Sequence, residues 1–453
     1  MQNNAHRIWI KNPLDCLDPA YAGGIVIQDD IIVELIPAGG EPTEQAHEVI
    51  DASEHVLIPG LINSHHHFYQ TLTRAFPAAL NKELFPWLQS LYPVWAKLTP
   101  QMIATSTQIA LSELLLSGCT TASDHHYLFP NGLENAIDIQ IEQARKLGIR
   151  VHLTRGSMSL GEDQGGLPPR TTIQTDQQIL DDSQRLINTY HQYEAGAMIR
   201  IALAPCSPFS VSEDLMRATG ELAADLDVRL HTHLAETIDE TEFCIKMFGV
   251  RPVDYLERVG WLNNRTWLAH GIHFNEQEIS RLGQAGVGVC HCPSSNMLLA
   301  SGQCPTLALQ AAGSPVGLGV DGSASNDGSN MIGEVRQALL LQRLRYGASE
   351  ITHQKAFDWA TKGSAACLGR DDIGEIAVGK QADIALFKLD EIRFAGSGSP
   401  VAAILLCGAT RADKVMVAGR WRVLDGEIVD LDLDQLMAQQ VQLATQLANS
   451  HYG

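Results

Sequence analysis

Four short motifs bring together residue types that bind metals and move protons. In GLINSHHHF, His65, His66 and His67 stand in a row. At the end of a β-strand, residues two apart share a face, so His65 and His67 can reach one ion while His66 points away. A solvated loop is the alternative reading of such a run. VRLHTHLAE places His231 and His233 on one face, His233 nearer the strand end and His231 one layer deeper, with Glu236 just beyond. TWLAHGIH carries His270 and then His273, and VGLGVDGSASND carries Asp321. An Asp after glycines is ordinarily a turn residue, but the alternating Val and Leu before it favour a ligand at a strand end.

Together, His65, His67, His233 and Asp321 would supply three imidazoles and a carboxylate. With a position left for water, this set suits one catalytic divalent metal ion, Zn2+ first and Fe2+ as a chemically possible alternative. Such an ion lowers the pKa of water towards ~7. Hydrolytic deamination of a nitrogen heterocycle needs that help, because ammonia is a poor leaving group and an aromatic C–NH2 carbon a poor electrophile. It also needs proton delivery to the ring nitrogen. Glu236 suits the proton shuttle, and Asp321 can also accept a proton from water. His270 can orient the water or stabilise the oxygen that becomes anionic.

These residues act together only if the fold presents them at one place. Between the ends of the chain, strand-like runs alternate with helical ones: VLIPGLINSHHH, CTTASDHH, IRVHLTRG, MIRIALAPCS, VRLHTHLAE, TWLAHGIH, VGVCHCPSS and VGLGVDGS are separated by helical stretches such as TPQMIATSTQIALSELLLSG and one around Gln178–Tyr193. About eight strands in this order predict an α/β fold, a (β/α)8 TIM barrel whose chemistry gathers at the C-terminal strand ends. An open doubly wound sheet would want a glycine-rich phosphate turn after an early strand, and none is present. Both chain ends read as short strands (GGIVIQDDIIVELIP and KVMVAGRWRVLDGEIVD). They predict a small β-sandwich domain formed from both termini: residues 1–59 and 373–453, the latter including a tail, flank a barrel at 60–372. The turn-rich stretch GEDQGGLPP, from Gly161 to Pro169, is expected to form a lid after the third strand.

The totals narrow the partners. The chain has 453 residues, a net charge of -20 and no Lys/Arg cluster, which argues against a nucleic-acid partner. No apolar run approaches the ~20 residues of a membrane span, and MQNNAHRIWIKNPLD lacks the apolar stretch of a signal peptide, so no membrane partner and a cytoplasmic location are expected. Nine irregularly spaced cysteines suggest reduced thiols, with Cys290-His291-Cys292 read as strand residues lining a core.

PGLINSHHHFYQTLTR, HTHLAE, LAHGIH, CHCPSSN and GVDGSASND, in this order, resemble the amidohydrolase superfamily in its branch of mononuclear metal deaminases and triazine hydrolases. The resemblance covers nearly the whole chain. It implies metal ligation by His65, His67, His233 and Asp321, with Glu236 and His270 in catalysis. The fourth-strand lysine that bridges two metals in binuclear relatives has no counterpart in IALAPCSPFS, so one metal is expected. Within the branch, LFPWLQSLYPVWAKLTP, SDHHYLFP and TRGSMSLGEDQGGLPPR are most similar to 8-oxoguanine deaminases. This implies conversion of 8-oxoguanine to uric acid and ammonia, with triazine hydrolysis or deamination of guanine, isocytosine or cytosine as alternatives. The resemblance also implies a homo-oligomer, a dimer.

Substrate contacts are read from position. Gln70 follows the histidine pair, and its amide can both donate to and accept from a purine edge, unless it lies on a helix surface. Arg155, at the third strand end, can bind a carbonyl or pair with an acid. Trp87, Tyr92, Trp95 and Tyr127 can wall a flat ring or belong to a core or interface. Glu236 and His270 are expected to touch the substrate as well. Ser295 and Asn296 are expected to shape their loop more than to touch it.

Overall fold

The computed structural model describes residues 6–452. Residues 1–5, where the segment read for a signal peptide begins, and Gly453 lie outside the described residues.

Eight strands run parallel in sequence order: β1 (Leu61–Asn63), β2 (Cys119–His126), β3 (Arg150–Ser157), β4 (Ile199–Pro205), β5 (Leu230–Leu234), β6 (Thr266–His270), β7 (Gly288–His291) and β8 (Val316–Leu318). Backbone bonds from Ser64 N to the Leu318 carbonyl (2.9 Å) and from Asp321 N to the His65 carbonyl (3.1 Å) join β8 to β1 and close the (β/α)8 barrel. The same two bonds set the motifs of His65 and Asp321 side by side.

Local sequence explains where the outer helices start and stop. Thr99 accepts from Met102 N ahead of Pro100–Leu116, with Pro100 in the first turn, where its missing N–H costs nothing. Thr175 and Gln178 form a capping box. The helix that follows is therefore Asp176–Tyr190, beginning and ending earlier than the expected 178–193. Gly148 and Gly249 end their helices in the left-handed conformation open to a residue without Cβ.

The termini build two further sheets. Arg7–Lys11, Gly24–Gln28, Ile31–Ile36 and Glu48–Asp51 form one. The other combines Asp15–Cys16 and His55–Pro59 with Ile384–Lys388, Lys414–Val417, Arg420–Leu424 and Glu427–Ile428. His55–Pro59 pairs antiparallel with Ile384–Lys388, and Ile8, Ile10, Ile25 and Ile27 of the first sheet share a buried core with Leu57, Ile384, Leu386 and Met416 of the second.

The run VLIPGLINS, read as one strand, is two. Pro59 ends a strand of the small domain, Leu61 begins β1, and Gly60 turns between them. A Cβ at Gly60 would lie 2.2 Å from Thr120 Oγ1, so no other residue fits without displacing β2. Beside it, the buried Arg150 of β3 donates to both carboxylate oxygens of Asp383 (3.1 and 3.2 Å) and to the Gly196 and Ala197 carbonyls (2.6 and 2.8 Å). The chain ends in a helix, Leu433–Tyr452, that packs on the barrel helices Leu84–Trp95 and Pro100–Leu116 rather than on the small domain. Its Gln440 donates to Thr71 Oγ1 (3.1 Å), four residues beyond His67.

The described residues contain no helix long and apolar enough to cross a membrane. All nine cysteines are free. Cys290, His291 and Cys292 are buried, and His291 receives a bond from Gln342 Nε2 (3.1 Å).

Candidate active site

The C-terminal strand ends bring His65, His67, His233 and Asp321 together, and their hydrogen bonds define which atoms face inward. His231 Nδ1 must donate to the Trp267 carbonyl (2.8 Å), which leaves its Nε2 to accept from His65 Nδ1 (2.8 Å). His67 Nδ1 donates to the His125 carbonyl (2.7 Å) and His233 Nδ1 to the Cys206 carbonyl (2.7 Å). Assigned this way, all three imidazoles turn an Nε2 lone pair to the same point, as outer partners of metal-binding histidines do.

The spacing at that point is specific. His67 Nε2 and His233 Nε2 are 3.3 Å apart, and Asp321 Oδ1 lies 3.3 Å from both His65 Nε2 and His67 Nε2. Ligands held ~2.0–2.1 Å from a tetrahedral ion stand roughly 3.3 Å from one another. His65 Nε2 is buried with no hydrogen-bond partner, the arrangement expected of a donor that completes its valence on a metal. Burial holds His65 and His233 well below the usual imidazole pKa, in the free-base form that binds metals. The carboxylate of Asp321 resists the effect of its own burial. The His65 and His67 imidazoles beside it bring it well below the usual range.

Two more histidines border this space. His125 stacks on His233 with ring centres 4.7 Å apart, but its Nε2 is occupied by the Ala204 carbonyl (2.9 Å). His66 points away, to Ser329 Oγ (2.8 Å).

Glu236 and His270 stand across from the cluster. His270 Nε2 lies 3.5 Å from Glu236 Oε2 and 3.8 Å from Asp321 Oδ2, while its Nδ1 donates to Asn296 Oδ1 (2.9 Å). Ser301 Oγ donates to Glu236 Oε1 (3.3 Å). Burial raises the Glu236 carboxyl, with His270 opposing. Burial also works against a charged His270, yet the Glu236 and Asp321 carboxylates outweigh it and raise that imidazole. The pair can therefore hold a proton on either partner at one place.

Backbone strain aims these groups. Ala235, His270 and Asp321 all adopt left-handed φ values, of 55°, 70° and 60°. Such conformations cost non-glycine residues roughly 1–3 kcal/mol each and concentrate where a site depends on them. Glu240 supports the turn before Glu236 by accepting from Ala235 N (2.6 Å) and Glu236 N (3.2 Å).

A cavity of about 420 Å³, including its open mouth, leads to the cluster. His67, Gln70, His233, Glu236, His270 and Asp321 line it, with Trp87, Tyr92, Tyr127 and Phe209 as its aromatic walls. Gln70 lines the cavity, and its Oε1 accepts from Ala324 N (3.3 Å). Trp95 is instead core, donating to Thr73 Oγ1 (3.1 Å).

Arg155 is not brought to this cavity. Its guanidinium donates to Asp182 (2.8 Å), Gln174 (2.8 Å) and the Gly156 carbonyl, and it lies over the Phe129 ring at 3.8 Å, so the acid-pairing alternative describes its place. Residues 161–169 contribute no lining side chain, whereas Leu84, Trp87, Leu88 and Tyr92 of the Leu84–Trp95 helix do.

Sequence reasoning passed over Ser301, Glu240, Phe209 and Ser325. Ser301 sits on a loop and Glu240 in the first turn of the helix Ile238–Phe248, neither with a motif spacing; Ser325 lies four residues past Asp321, and Phe209 lies past the end of β4, where strand-end counting could have found them. Ser295 bonds Ser325 Oγ (2.9 Å), while Asn296 reaches the site through His270.

The chain is 64% identical to an 8-oxoguanine deaminase of Pseudomonas aeruginosa over 438 residues, covering 96% of this chain and 97% of that protein. It is 34% identical to an isoxanthopterin deaminase from an unknown prokaryotic organism, covering 90% of this chain and 87% of the other. Among solved structures, the zinc complex of the atrazine chlorohydrolase TrzN from Arthrobacter aurescens TC1 superposes with a TM-score of 0.91, at 33% identity, over 96% of this chain and 100% of that one. The model of the amidohydrolase family matches residues 56–422, from the strand before β1 into the strand Arg420–Leu424 of the small domain, and the chain belongs to that family.

Proposed function

We propose that this protein hydrolyses 8-oxoguanine to uric acid and ammonia, using one divalent metal ion held by His65, His67, His233 and Asp321. The observation that carries the reading is the 64% identity to an 8-oxoguanine deaminase over 96% of this chain. The converging donor atoms fit the ion, and zinc in the TrzN complex supports Zn2+ ahead of Fe2+.

When bound, the ion supplies Lewis-acid activation of the attacking water at neutral pH. The chain supplies the rest. Glu236 Oε2 takes a proton from the water and delivers it to the ring nitrogen beside the carbon that bears the amino group. A carbon–oxygen bond forms there. The second water proton passes to the amino nitrogen, and the carbon–nitrogen bond breaks to release ammonia. His270 Nε2, 3.5 Å from Glu236 Oε2, orients the water and donates to the oxygen as charge develops on it. Gln70 binds the purine edge through its amide N–H, and Trp87, Tyr92 and Tyr127 hold the ring plane. We also read the protein as a homodimer, on the family likeness, which light scattering of the purified chain tests, and as cytoplasmic, which fractionation of cells tests.

Ammonia release from 8-oxoguanine, guanine, isocytosine, cytosine and chloro- or alkylamino-triazines tests the reaction. The highest kcat/KM is expected with 8-oxoguanine. No turnover of any aminopurine or aminopyrimidine, or a clear preference for triazines, would overturn the assignment.

A further inference from the structure

A second cavity lies at the opposite end of the barrel, at the N-terminal ends of β3 to β6, and occupies about 750 Å³ including its mouth. His152 near the start of β3, Arg200 near the start of β4, Arg229 just before β5 and Arg265 just before β6 line it. We infer that this cavity binds an oxyanion of the phosphate class.

The first support is an imbalance of charge. The chain as a whole carries -20, yet three guanidinium groups meet here. Asp227 is the one acid among the lining residues, and it is already paired with Arg265 (2.5 Å). Among the described residues, no carboxylate lies within ion-pair distance of Arg200 or Arg229. Arg200 donates to the Gly369 and Tyr193 carbonyls (3.2 and 3.4 Å), and Arg229 has no hydrogen-bond acceptor at all. The Nε atoms of both are buried and unsatisfied. Arg229 is depressed to about 10, by burial first and then by repulsion from Arg265 and Arg200. Holding uncompensated cations together is costly unless an anion is shared between them.

The second support is independent of the arginines. His152 is 2% exposed, lines the cavity, and has no partner on either ring nitrogen. Buried imidazoles rarely leave both nitrogens unsatisfied. Either one, protonated, is a donor to a ligand oxygen.

The third is a close approach. Gly369 has a φ of 63°, and a Cβ there would lie 2.8 Å from Arg229 Nη1. A glycine at this position lets the guanidinium lie against the backbone. Planar N–H forks from separate strand ends, plus an imidazole, match the several oxygens of a phosphate. The volume admits either free phosphate or a phosphate carried on a nucleoside.

Calorimetric titration of the metal-loaded full-length protein tests this. The probes are inorganic phosphate, guanosine monophosphate and guanosine, at ionic strength matched with chloride. Saturable binding of inorganic phosphate assigns the site to the free ion. Saturable binding of the nucleotide alone, with guanosine silent, assigns it to a nucleoside phosphate. Arg229→Met is expected to weaken binding roughly ten- to a hundredfold, the loss of one charge-assisted contact. Arg265→Gln, nearer the rim, gives the same test if Arg229→Met does not fold. Failure of both phosphates to saturate would overturn the inference. So would unchanged affinity in folded variants, because the anion would then be bound elsewhere.

Discussion

Replacing Glu236 with Gln isolates proton transfer from everything else at the site. The amide keeps the size of the carboxyl, can still accept from Ser301 Oγ at 3.3 Å, and leaves the backbone held by Glu240. None of the converging ligand atoms belongs to residue 236, so metal content should not change. What is lost is a group that can take a proton 3.5 Å from His270 Nε2. Positioned general acid–base groups contribute about 10²- to 10⁴-fold, or about 2.7–5.5 kcal/mol of barrier. Because the Glu236 carboxylate also sustains the charged form of His270, that imidazole should titrate lower in the variant. The assay is single-turnover ammonia release from 8-oxoguanine, with metal analysis on the same sample. Activity within tenfold of wild type at unchanged metal content would refute the shuttle. A loss of activity that follows a loss of metal would refute the separation between shuttle and ligands.

Four further outcomes follow from the geometry. Asp321→Asn should lower metal content, and a variant with unchanged metal and activity would remove Asp321 from the ligand set. His231→Phe removes the acceptor that fixes the His65 tautomer and should weaken metal binding about 10- to 100-fold in chelator competition. Asp383→Ala leaves Arg150 as an uncompensated buried cation, so equilibrium denaturation should show a loss of about 3–5 kcal/mol. Burial raises Glu240 to about 8 from 4.5, so the folded state holds this proton more tightly than the unfolded chain does. Its contribution to stability is full below pH ~4.5 and is lost as pH rises through ~8; the decline of Tm across this window should flatten in Glu240→Gln, the slope being the readout.

The barrel and the gathering of histidines and Asp321 at its strand ends were legible because both depend on regular spacing. Period-two alternation put His65 and His67 on one face, and the strand-end rule gathered His233, His270 and Asp321 from distant positions. Other features depend on direction rather than spacing. Arg155 also ends a strand, yet a neighbouring helix offers Asp182 and the guanidinium turns outward. The left-handed turns at Ala235, His270 and Asp321 leave no mark in the sequence, since none is glycine. The last helix packs beside Thr71 through buried Leu443 and Leu447 and a bond from Gln440 across 369 positions, and local patterns contain nothing of it. The aromatic walls were foreseen as a group, but Trp95 has the same local texture as Trp87 and only tertiary packing separates them.

Gly60 connects two sheets with no spacer, and its N–H donates to the carbonyl of Asp383, whose side chain holds Arg150 (2.9 Å for the backbone bond). The small domain and the first ligand strand are thus not modules that can be exchanged freely. A chimaera that takes its outer sheets from one relative and its barrel from another must carry residues 60, 120, 150 and 383 as a matched set. A mismatch at this joint would shift the strand leading into His65 while every ligand remained present in the sequence.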